Sequence, residues 1–343
     1  MATAIESGIG TLNYVKQAAK GTVGSAASVA VGSNRPRWFE GSLKVAKRLD
    51  QEPYIDGQRF ASPQMFTDAV GGEVGDLTVQ IQPENGGLWW AQILGVDTVT
   101  GAADPYTHTI TSAASSGAWG TFWQKVGSAV GPDRLRFVDC KVAQLTETAG
   151  VDQKVLHHEL AVRSLAPGQV YAADAAKTED TSDSYLFTEL TGSIVFDGTV
   201  VQEIETETIT VNTEMEPFYG DSIFPLQLIE KKGTIVRTVD SIVTDDTLGK
   251  YRKAIWNAAA PATDAVPVKD VFYAALTSKF TRSATRTLER TCPKVTVRPD
   301  DFEIAAQREA GKIPISFGGE CLKSGASPAL TVVALTGDAT AYV

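Results

Sequence analysis

Cysteine and histidine, the residue types that most often build disulfides, metal centres and proton relays, are scarce in this sequence. The chain of 343 residues has three of each. Cys140, Cys292 and Cys321 are too far apart for a disulfide framework or a paired-cysteine metal motif, and their small number favours a reducing compartment. His157 and His158 are neighbours in a predicted strand and point to opposite faces, so they are not placed to share a metal ion. The sequence therefore predicts no metal site.

Long apolar runs and an excess of positive charge are also absent. The longest weakly polar run, residues 22–34, is rich in Gly, Ser and Ala and far too short to span a bilayer, and the N-terminus has no apolar signal segment. The 41 acidic residues outnumber the 31 basic ones, for a formal net charge of −10. Because nucleic-acid-binding proteins usually neutralise phosphates with Lys and Arg, we expect neither a membrane nor a gripped nucleic acid as partner.

Motifs for catalysis are missing as well. The sequence has no G-x-S-x-G elbow, no Walker loop, no H-E-x-x-H zinc motif and no dinucleotide-binding glycine fingerprint between a strand and a helix. Scattered carboxylates are the remaining candidates, and no pair of them is singled out. We therefore expect a protein that is not an enzyme and has no cofactor.

Alternation of apolar and polar residues is what the sequence has in abundance. This pattern predicts half-buried antiparallel strands and occurs in both halves, for example in residues 77–82, 106–111, 204–211 and 233–239. Two helices are predicted. One covers residues 88–94 and stops at Gly95, and the other covers residues 247–258 after Asp245-Asp246, with acids at its start as the helix dipole favours. The predicted class is mainly β.

The length, near twice that of an ordinary domain, favours two domains. Residues 166–187 lose their periodicity after a Pro-Gly pair and fill with Asp, Ala, Ser and Thr, which is typical of a linker. We predict an N-terminal arm (1–36), a first β domain (37–165), a linker (166–187), a second β domain (188–322) and a C-terminal arm (323–343).

The two halves show a similar order of features. Gly41-Ser42 in the first half and Gly192-Ser193 in the second each begin a strand, a single helix follows later, and Cys140 and Cys292 are each followed closely by Lys-Val. This order favours duplication of one fold, an antiparallel β-sandwich or barrel with one short flanking helix. The alternative is that two β domains share a strand order by chance.

An acidic strand is the most informative charge pattern. The two-residue period of a strand places Glu203, Glu205 and Glu207 on one face. A solvated strand face is the simplest interpretation. If many copies surrounded a channel, the same face would form a negative wall.

Basic residues occupy the matching place in the first half. Lys44, Lys47 and Arg48 follow Gly41-Ser42 and have the opposite sign to the acidic strand. Complementary hairpins of this kind are candidates for contacts across a subunit interface, with solvated charges as the default interpretation.

Several segments share a pattern and an order: residues 39–43 (FEGSL), 75–79 (GDLTV), the short apolar helix ending in Leu94-Gly95, 190–198 (LTGSIVFDG) and 209–212 (ITVN). Together they resemble the major tail tube proteins of long-tailed, siphovirus-like bacteriophages. Residues 14–17 (YVKQ) and 20–22 (KGT) are similar to the openings of such proteins. The resemblance spans most of the chain and rests on pattern and order, not on an invariant motif.

The resemblance implies a subunit that assembles into rings, which stack into a hollow tube through which DNA leaves the virion. Family rings with one tube fold per chain are hexamers, so a duplicated chain is expected to form trimers with pseudo-sixfold symmetry, or otherwise hexamers. Other tail proteins, such as the tape measure and the tail terminator, are expected partners, and the host cytoplasm is the expected place of assembly. Glu203, Glu205 and Glu207 would then line the lumen, while Lys44, Lys47 and Arg48 would contact neighbouring subunits or rings.

Two rival interpretations come from other functional classes. A duplicated β-sandwich adhesin or carbohydrate-binding module would need an exposed aromatic platform, for which Trp119 and Trp123 are the candidates. A carboxylate-based glycoside hydrolase would need two convergent acids about 5 to 9.5 Å apart, which a sequence does not reveal.

Overall fold

Antiparallel strands make up most of this computed structural model, which describes residues 10–23, 37–45, 47–54, 62–126, 134–170, 182–190, 194–201, 204–297 and 313–343. The predicted mainly-β class is confirmed. Within these ranges, no helix combines the length and the hydropathy that crossing a membrane requires.

The first half of the chain contains helix α1 (Leu88–Leu94) between its fifth and sixth strands. The strands described in this half are β1 (Gly10–Lys16), β2 (Arg37–Gly41), β3 (Lys47–Tyr54), β4 (Ser62–Val70), β5 (Gly72–Gln80), β6 (Gly95–Thr100), β7 (Tyr106–Ser112), β8 (Gly120–Val126), β9 (Arg134–Gly150), β10 (His157–Ser164) and β11 (Gln169–Val170).

The second half opens with a short 3-10 helix (Phe187–Leu190) and contains helix α2 (Asp245–Trp256) between β17 and β18. Its described strands are β12 (Val195–Phe196), β13 (Thr199–Val200), β14 (Ile204–Asn212), β15 (Glu216–Phe218), β16 (Gln227–Ile229), β17 (Thr234–Ile242), β18 (Phe272–Ser283), β19 (Arg286–Val297), β20 (Pro314–Leu322) and β21 (Thr331–Thr336).

Both predicted helices are present, and their ends have identifiable causes. α1 is followed by Gly95 in the left-handed conformation, with φ of 99°, and all of its side chains are buried. α2 begins after Thr244, whose hydroxyl accepts a hydrogen bond from the Thr247 N–H, and acids in its first turn suit the helix dipole. Asn257 ends α2 with φ of 55°. α1 is therefore a core element, whereas α2 covers the core from outside.

The same set of antiparallel strand pairings occurs in each half. In the first half, β5 pairs with β2 and β10, β9 with β8 and β10, and β8 with β1. In the second half, β17 pairs with β14 and β20, β19 with β18 and β20, and β18 with β12. A two-stranded hairpin, β3–β4 or β15–β16, precedes β5 or β17, and a helix follows it. By order and pairing, β2 corresponds to β14, β5 to β17, β9 to β19 and β10 to β20.

The correspondence extends to a break in strand register. The pairing of β2 with β5 is interrupted between Trp38 and Glu40, and that of β14 with β17 between Ile204 and Thr206. Phe39 and Glu205 therefore hold the same place. The predicted alignment of Gly41 with Gly192 is different here, because Gly41 lies in β2, which corresponds to β14, while residues 191–193 lie outside the described ranges.

One hydrophobic core runs through both halves. β14 pairs with β9 over residues 206–212 and 144–150, and Trp89 and Phe317 belong to the same buried cluster. The predicted linker does not separate two cores, because β11 pairs with β9 and the side chain of Tyr185 is fully buried. Residues 171–181 of the predicted linker lie outside the described ranges.

The segments predicted as terminal arms contain core strands. β1 pairs with β8 and buries Leu12 and Tyr14, while β21 pairs with β7 and β19 and buries Val332 and Ala334. The expectation of arms is wrong for residues 10–16 and 331–336, because both segments are paired strands with side chains buried in the core. Residues 1–9 and 24–36 lie outside the described ranges.

A buried histidine holds the last residues of the chain. His108 Nδ1 lies 2.9 Å from Asp97 Oδ2, and His108 Nε2 lies 2.9 Å from the Asp338 carbonyl oxygen. The ring of Tyr342 stacks on the imidazole, with centroids 4.4 Å apart. Burial lowers the pKa of His108, but the hydrogen bonds to Asp97 and Asp338 outweigh it and hold the pKa above its ordinary value.

The role of β21 in the core is tested by Val332→Ala. Because Val332 is fully buried, we expect the free energy of unfolding to fall by about 2 kcal/mol. Val266, which is 80% exposed, is the control, and Val266→Ala should change the free energy of unfolding by less than about 0.5 kcal/mol. Urea denaturation of the three chains measures both effects. Equal effects would mean that residues 331–336 are a dispensable arm.

The histidine contact makes stability depend on pH. The folded-state pKa of His108 is higher than that of the unfolded chain, about 6.5, so the stabilisation is complete below that pH and is lost as pH rises through the folded-state pKa. We expect His108→Gln to remove this loss from urea denaturation curves recorded between about pH 6 and about pH 8. His157→Gln is the control and should retain it, because burial lowers the pKa of His157. An unchanged pH dependence in His108→Gln would contradict the assignment.

Candidate functional site

The three glutamates predicted to share a solvated face have different surroundings. Glu203 lies outside the described ranges, Glu205 is half-buried, and Glu207 is 1% exposed. The register break between Ile204 and Thr206 puts Glu205 at the irregular position, and the buried alternation of β14 starts at Glu207 and continues with Ile209. The expectation of a lumen-lining carboxylate is therefore wrong for Glu207, because its side chain points into the core.

Glu207 belongs to a cluster of charged side chains in the interior, which we call the interior ion-pair cluster: Glu147, His158, Glu207, Arg237 and Arg290. Arg237 Nη2 and Nε donate to Glu207 Oε1 over 2.6 and 2.9 Å. Arg290 Nη2 donates to Glu207 Oε2 over 2.7 Å, and Arg290 Nε lies 2.9 Å from Glu147 Oε1. Two carboxylates and two guanidiniums thus alternate along one connected chain of contacts.

Further groups of the interior add contacts to the interior ion-pair cluster. Glu147 Oε2 lies 2.8 Å from His158 Nε2 and accepts a hydrogen bond of 3.2 Å from the Trp90 indole. Arg237 Nη1 donates to the Leu276 carbonyl oxygen over 2.6 Å. Burial raises the pKa of Glu147, but Arg290 and His158 outweigh burial and hold the pKa below its ordinary value. The side chains of the cluster are therefore buried and lie against partners of opposite charge, which suits a structural role.

The interior ion-pair cluster joins the two halves of the chain. Glu147 comes from β9 and His158 from β10, whereas Glu207, Arg237 and Arg290 come from β14, β17 and β19. The sequence contained a partial signal for it. Glu207 has the same parity as Ile209 and Val211, so strict alternation from the apolar side already places its carboxylate on the buried face.

The basic residues predicted to contact neighbours are at the surface. Lys44, Lys47 and Arg48 are exposed, and the backbone N–H of Lys44 donates to the Val74 carbonyl oxygen over 2.8 Å. Lys47 and Arg48 begin β3, which pairs with β4 in a separate two-stranded sheet. Their contact with another subunit stays a prediction.

A second hairpin exposes apolar side chains that the sequence reasoning missed. β15 and β16 form their own two-stranded sheet. The exposed side chains along this hairpin are those of Phe218, Ile223, Phe224, Leu226 and Ile229. Clustered apolar exposure of this kind marks a surface that contacts other molecules. The signal in the sequence was the run Ser222-Ile223-Phe224-Pro225-Leu226, in which apolar residues do not alternate with polar ones.

The aromatic platform required by the adhesin interpretation is not formed by its candidates. Trp123 is 6% exposed, and Trp119 is half-buried with Lys141 Nζ 4.8 Å from its ring centroid. The described residues contain no group of three or more His, Cys, Asp or Glu side chains placed to hold a metal ion.

Glu207→Gln tests the burial of charge between the halves. The amide would leave the buried Arg237 without the carboxylate it contacts and Arg290 with Glu147 alone, and we expect a loss of about 3 kcal/mol in the free energy of unfolding. The neighbouring Glu205→Gln is the matched control, with an expected change within about 0.5 kcal/mol because Glu205 lies at the half-buried register break. Urea denaturation near neutral pH measures both. A small effect in both variants would show that Glu207 is solvated.

Comparison with known proteins identifies a family that this chain matches. The family model described as "Phage tail tube protein" matches residues 9–255, well over half of the chain and across the predicted boundary between its halves. Among curated proteins, none matches the chain.

Proposed function

This chain belongs to the phage tail tube protein family, and on that premise we propose that it polymerises into stacked rings that form a hollow conduit for DNA. Membership makes it a structural component of a phage tail. The observation that carries the finer proposal is the pairing of β14 with β9, which joins two repeated sets of strands edge to edge.

The repeated pairings support the view that each half is one copy of a tube fold. Five pairings recur in the same order, and so does the register break at Phe39 and Glu205. β9 corresponds to β19 and β14 to β2. A junction between chains that resembles the junction within the chain would therefore place β2 of the next copy beyond the end of β19, because β18 pairs with β19 as far as Val297.

Such a junction is heterologous, so it produces a closed ring when the rotation from one unit to the next divides a full turn. Six equivalent units then close with three chains, which gives a trimer with pseudo-sixfold symmetry. Six chains per ring is the alternative. Pairing around the ring would also cover strand edges, which are otherwise a hazard for a β protein.

Charge supports a conduit that does not hold DNA. The formal net charge is −10, and repulsion of phosphates from an acidic wall acts over about one Debye length, about 8 Å at physiological salt. Glu205 is the remaining described candidate for the lumen, and Glu203, two residues earlier in the sequence, is the other candidate. Glu207 is not a candidate for the lumen, because its side chain is buried.

Two hairpins are proposed as contacts between stacked rings. The β3–β4 and β15–β16 hairpins occupy corresponding places, before β5 and β17. Lys44 precedes the β3–β4 hairpin, which starts with Lys47 and Arg48. The β15–β16 hairpin exposes Phe224. In the particle, which we propose to be assembled in the host cytoplasm, the tube would end on other tail proteins such as the tape measure and the tail terminator.

Electron microscopy of the purified chain tests ring formation and symmetry together. We expect tubes whose averaged end views show six lobes, with a subunit mass that assigns three chains to each ring. Twelve lobes would support six duplicated chains per ring and overturn the trimer. Monomers at every concentration would overturn the assembly itself.

Phe224→Asp tests the contact between rings. Since Phe224 is 42% exposed, its replacement should leave the melting temperature nearly unchanged, while a desolvated carboxylate would prevent stacking. We expect rings or monomers in place of tubes. Val266→Asp, at an exposed site away from the hairpins, is the control and should still form tubes. Tubes of normal length from Phe224→Asp would remove the β15–β16 hairpin from the ring contact.

A further inference from the structure

Two cysteines far apart in sequence meet in the second half of the chain. Cys292 lies in β19 and Cys321 in β20, which are paired strands. Their sulfur atoms are 2.9 Å apart, and both residues are free thiols. A disulfide requires about 2.05 Å between the sulfur atoms, so a small movement of side chains would bring the pair to bonding distance.

The two thiols have different surroundings. Cys292 is fully buried, and Arg237 Nη1 of the interior ion-pair cluster lies 3.8 Å from its sulfur atom. Cys321 is 4% exposed and lines an open cleft of about 290 Å³, together with Thr213, Glu230 and Lys323. One thiol therefore has a cation beside it, and the other borders a route from solvent.

The electrostatics fit this division. The hydrogen bond from Cys321 and the charge of Arg237 lower the pKa of Cys292 to about 7 against the effect of burial. The same contact, together with burial, raises the pKa of Cys321. Because the thiolate is the reactive form of cysteine, these surroundings favour Cys292 as the nucleophile, while Cys321 lies at the cleft through which an oxidant would enter.

The first half contains a matched arrangement without this chemistry. Cys140 lies in β9, which corresponds to β19, and its cross-strand partner in β10 is Ser164. Burial raises the pKa of Cys140 to about 12. Cys140 thus faces a serine, whereas Cys292 meets a second thiol.

We propose that Cys292 and Cys321 are a redox site that a small peroxide oxidises to a disulfide, linking β19 to β20. The Cys292 thiolate attacks one peroxide oxygen, forming an S–O bond as the O–O bond breaks, and the departing hydroxide takes a proton and leaves as water. The Cys321 sulfur then attacks the sulfenic sulfur, forming the S–S bond, and the hydroxyl leaves with the Cys321 proton as a second water. Two thiols lose two electrons, and one hydrogen peroxide is reduced to two waters.

The inference does not depend on ring formation, because all participating residues belong to one chain. Disulfides persist in oxidising surroundings and are rare in reducing cytoplasm. In a tail component that leaves its host, the disulfide would form after assembly and fix β20, the strand that pairs with β17, to β19.

The test uses the full, reduced chain treated with hydrogen peroxide under native conditions, followed by denaturation and alkylation. We expect loss of two of the three alkylatable thiols, a mass decrease of two hydrogen atoms, and a peptide that joins residues 292 and 321. The rate should rise between about pH 6 and about pH 8 as Cys292 ionises. Cys140 should remain alkylatable.

Variants separate the site from general oxidation. Cys321→Ser reproduces the cysteine–serine pair of the first half, so it should fold with a near-normal melting temperature and lose the mass decrease. Cys140→Ser is the matched control and should retain it. Oxidation only after unfolding in urea, disulfides between chains, or an unchanged mass decrease in Cys321→Ser would each overturn the proposal.

Discussion

Two carboxylates and two guanidiniums buried between the halves are tolerated only as a complete set, because removing one partner leaves a charge without solvent or counter-ion. This constraint determines how the strands meet. A slip of β14 by one residue against β9 would turn Glu207 to the opposite face and leave Arg237 and Arg290 facing one carboxylate fewer. The interior ion-pair cluster therefore favours one register at the junction on which the ring proposal depends.

The repeated pairings form a common framework on which the halves differ. Phe39 stands at the register break of β2, and Glu205 at that of β14. Cys140 faces Ser164, whereas Cys292 meets Cys321. The first half adds the β6–β7 hairpin, and β21 of the second half pairs with β7 of the first. On the proposal that the halves are two copies of one framework, differences of this kind would let them supply different surfaces.

Local patterns predicted both helices and part of the strands, including β5, β7, β10, β14 and β17. The apolar run of α1 ends at Gly95, and Asp245 and Asp246 open α2, so both helices could be located from sequence. The terminal arms failed as predictions because residues 331–336 (TVVALT) do not alternate in sequence, and their burial depends on pairing with β7 and β19. Cys140 and Cys292, which were matched from the sequence, lie in β9 and β19. That these strands come from two copies of one fold stays a proposal.

The candidate site was harder to predict, since its contacts are distant in sequence. Glu207 is 30 residues from Arg237 and 83 residues from Arg290, and neither cation lies in a recognisable motif. The sequence by itself determined the strand-rich class, both helices, the acidic charge and the family. Only the tertiary structure decided which side of β14 is buried and which cysteines meet, because alternation is a property of one strand, whereas burial and contact depend on the strands packed against it.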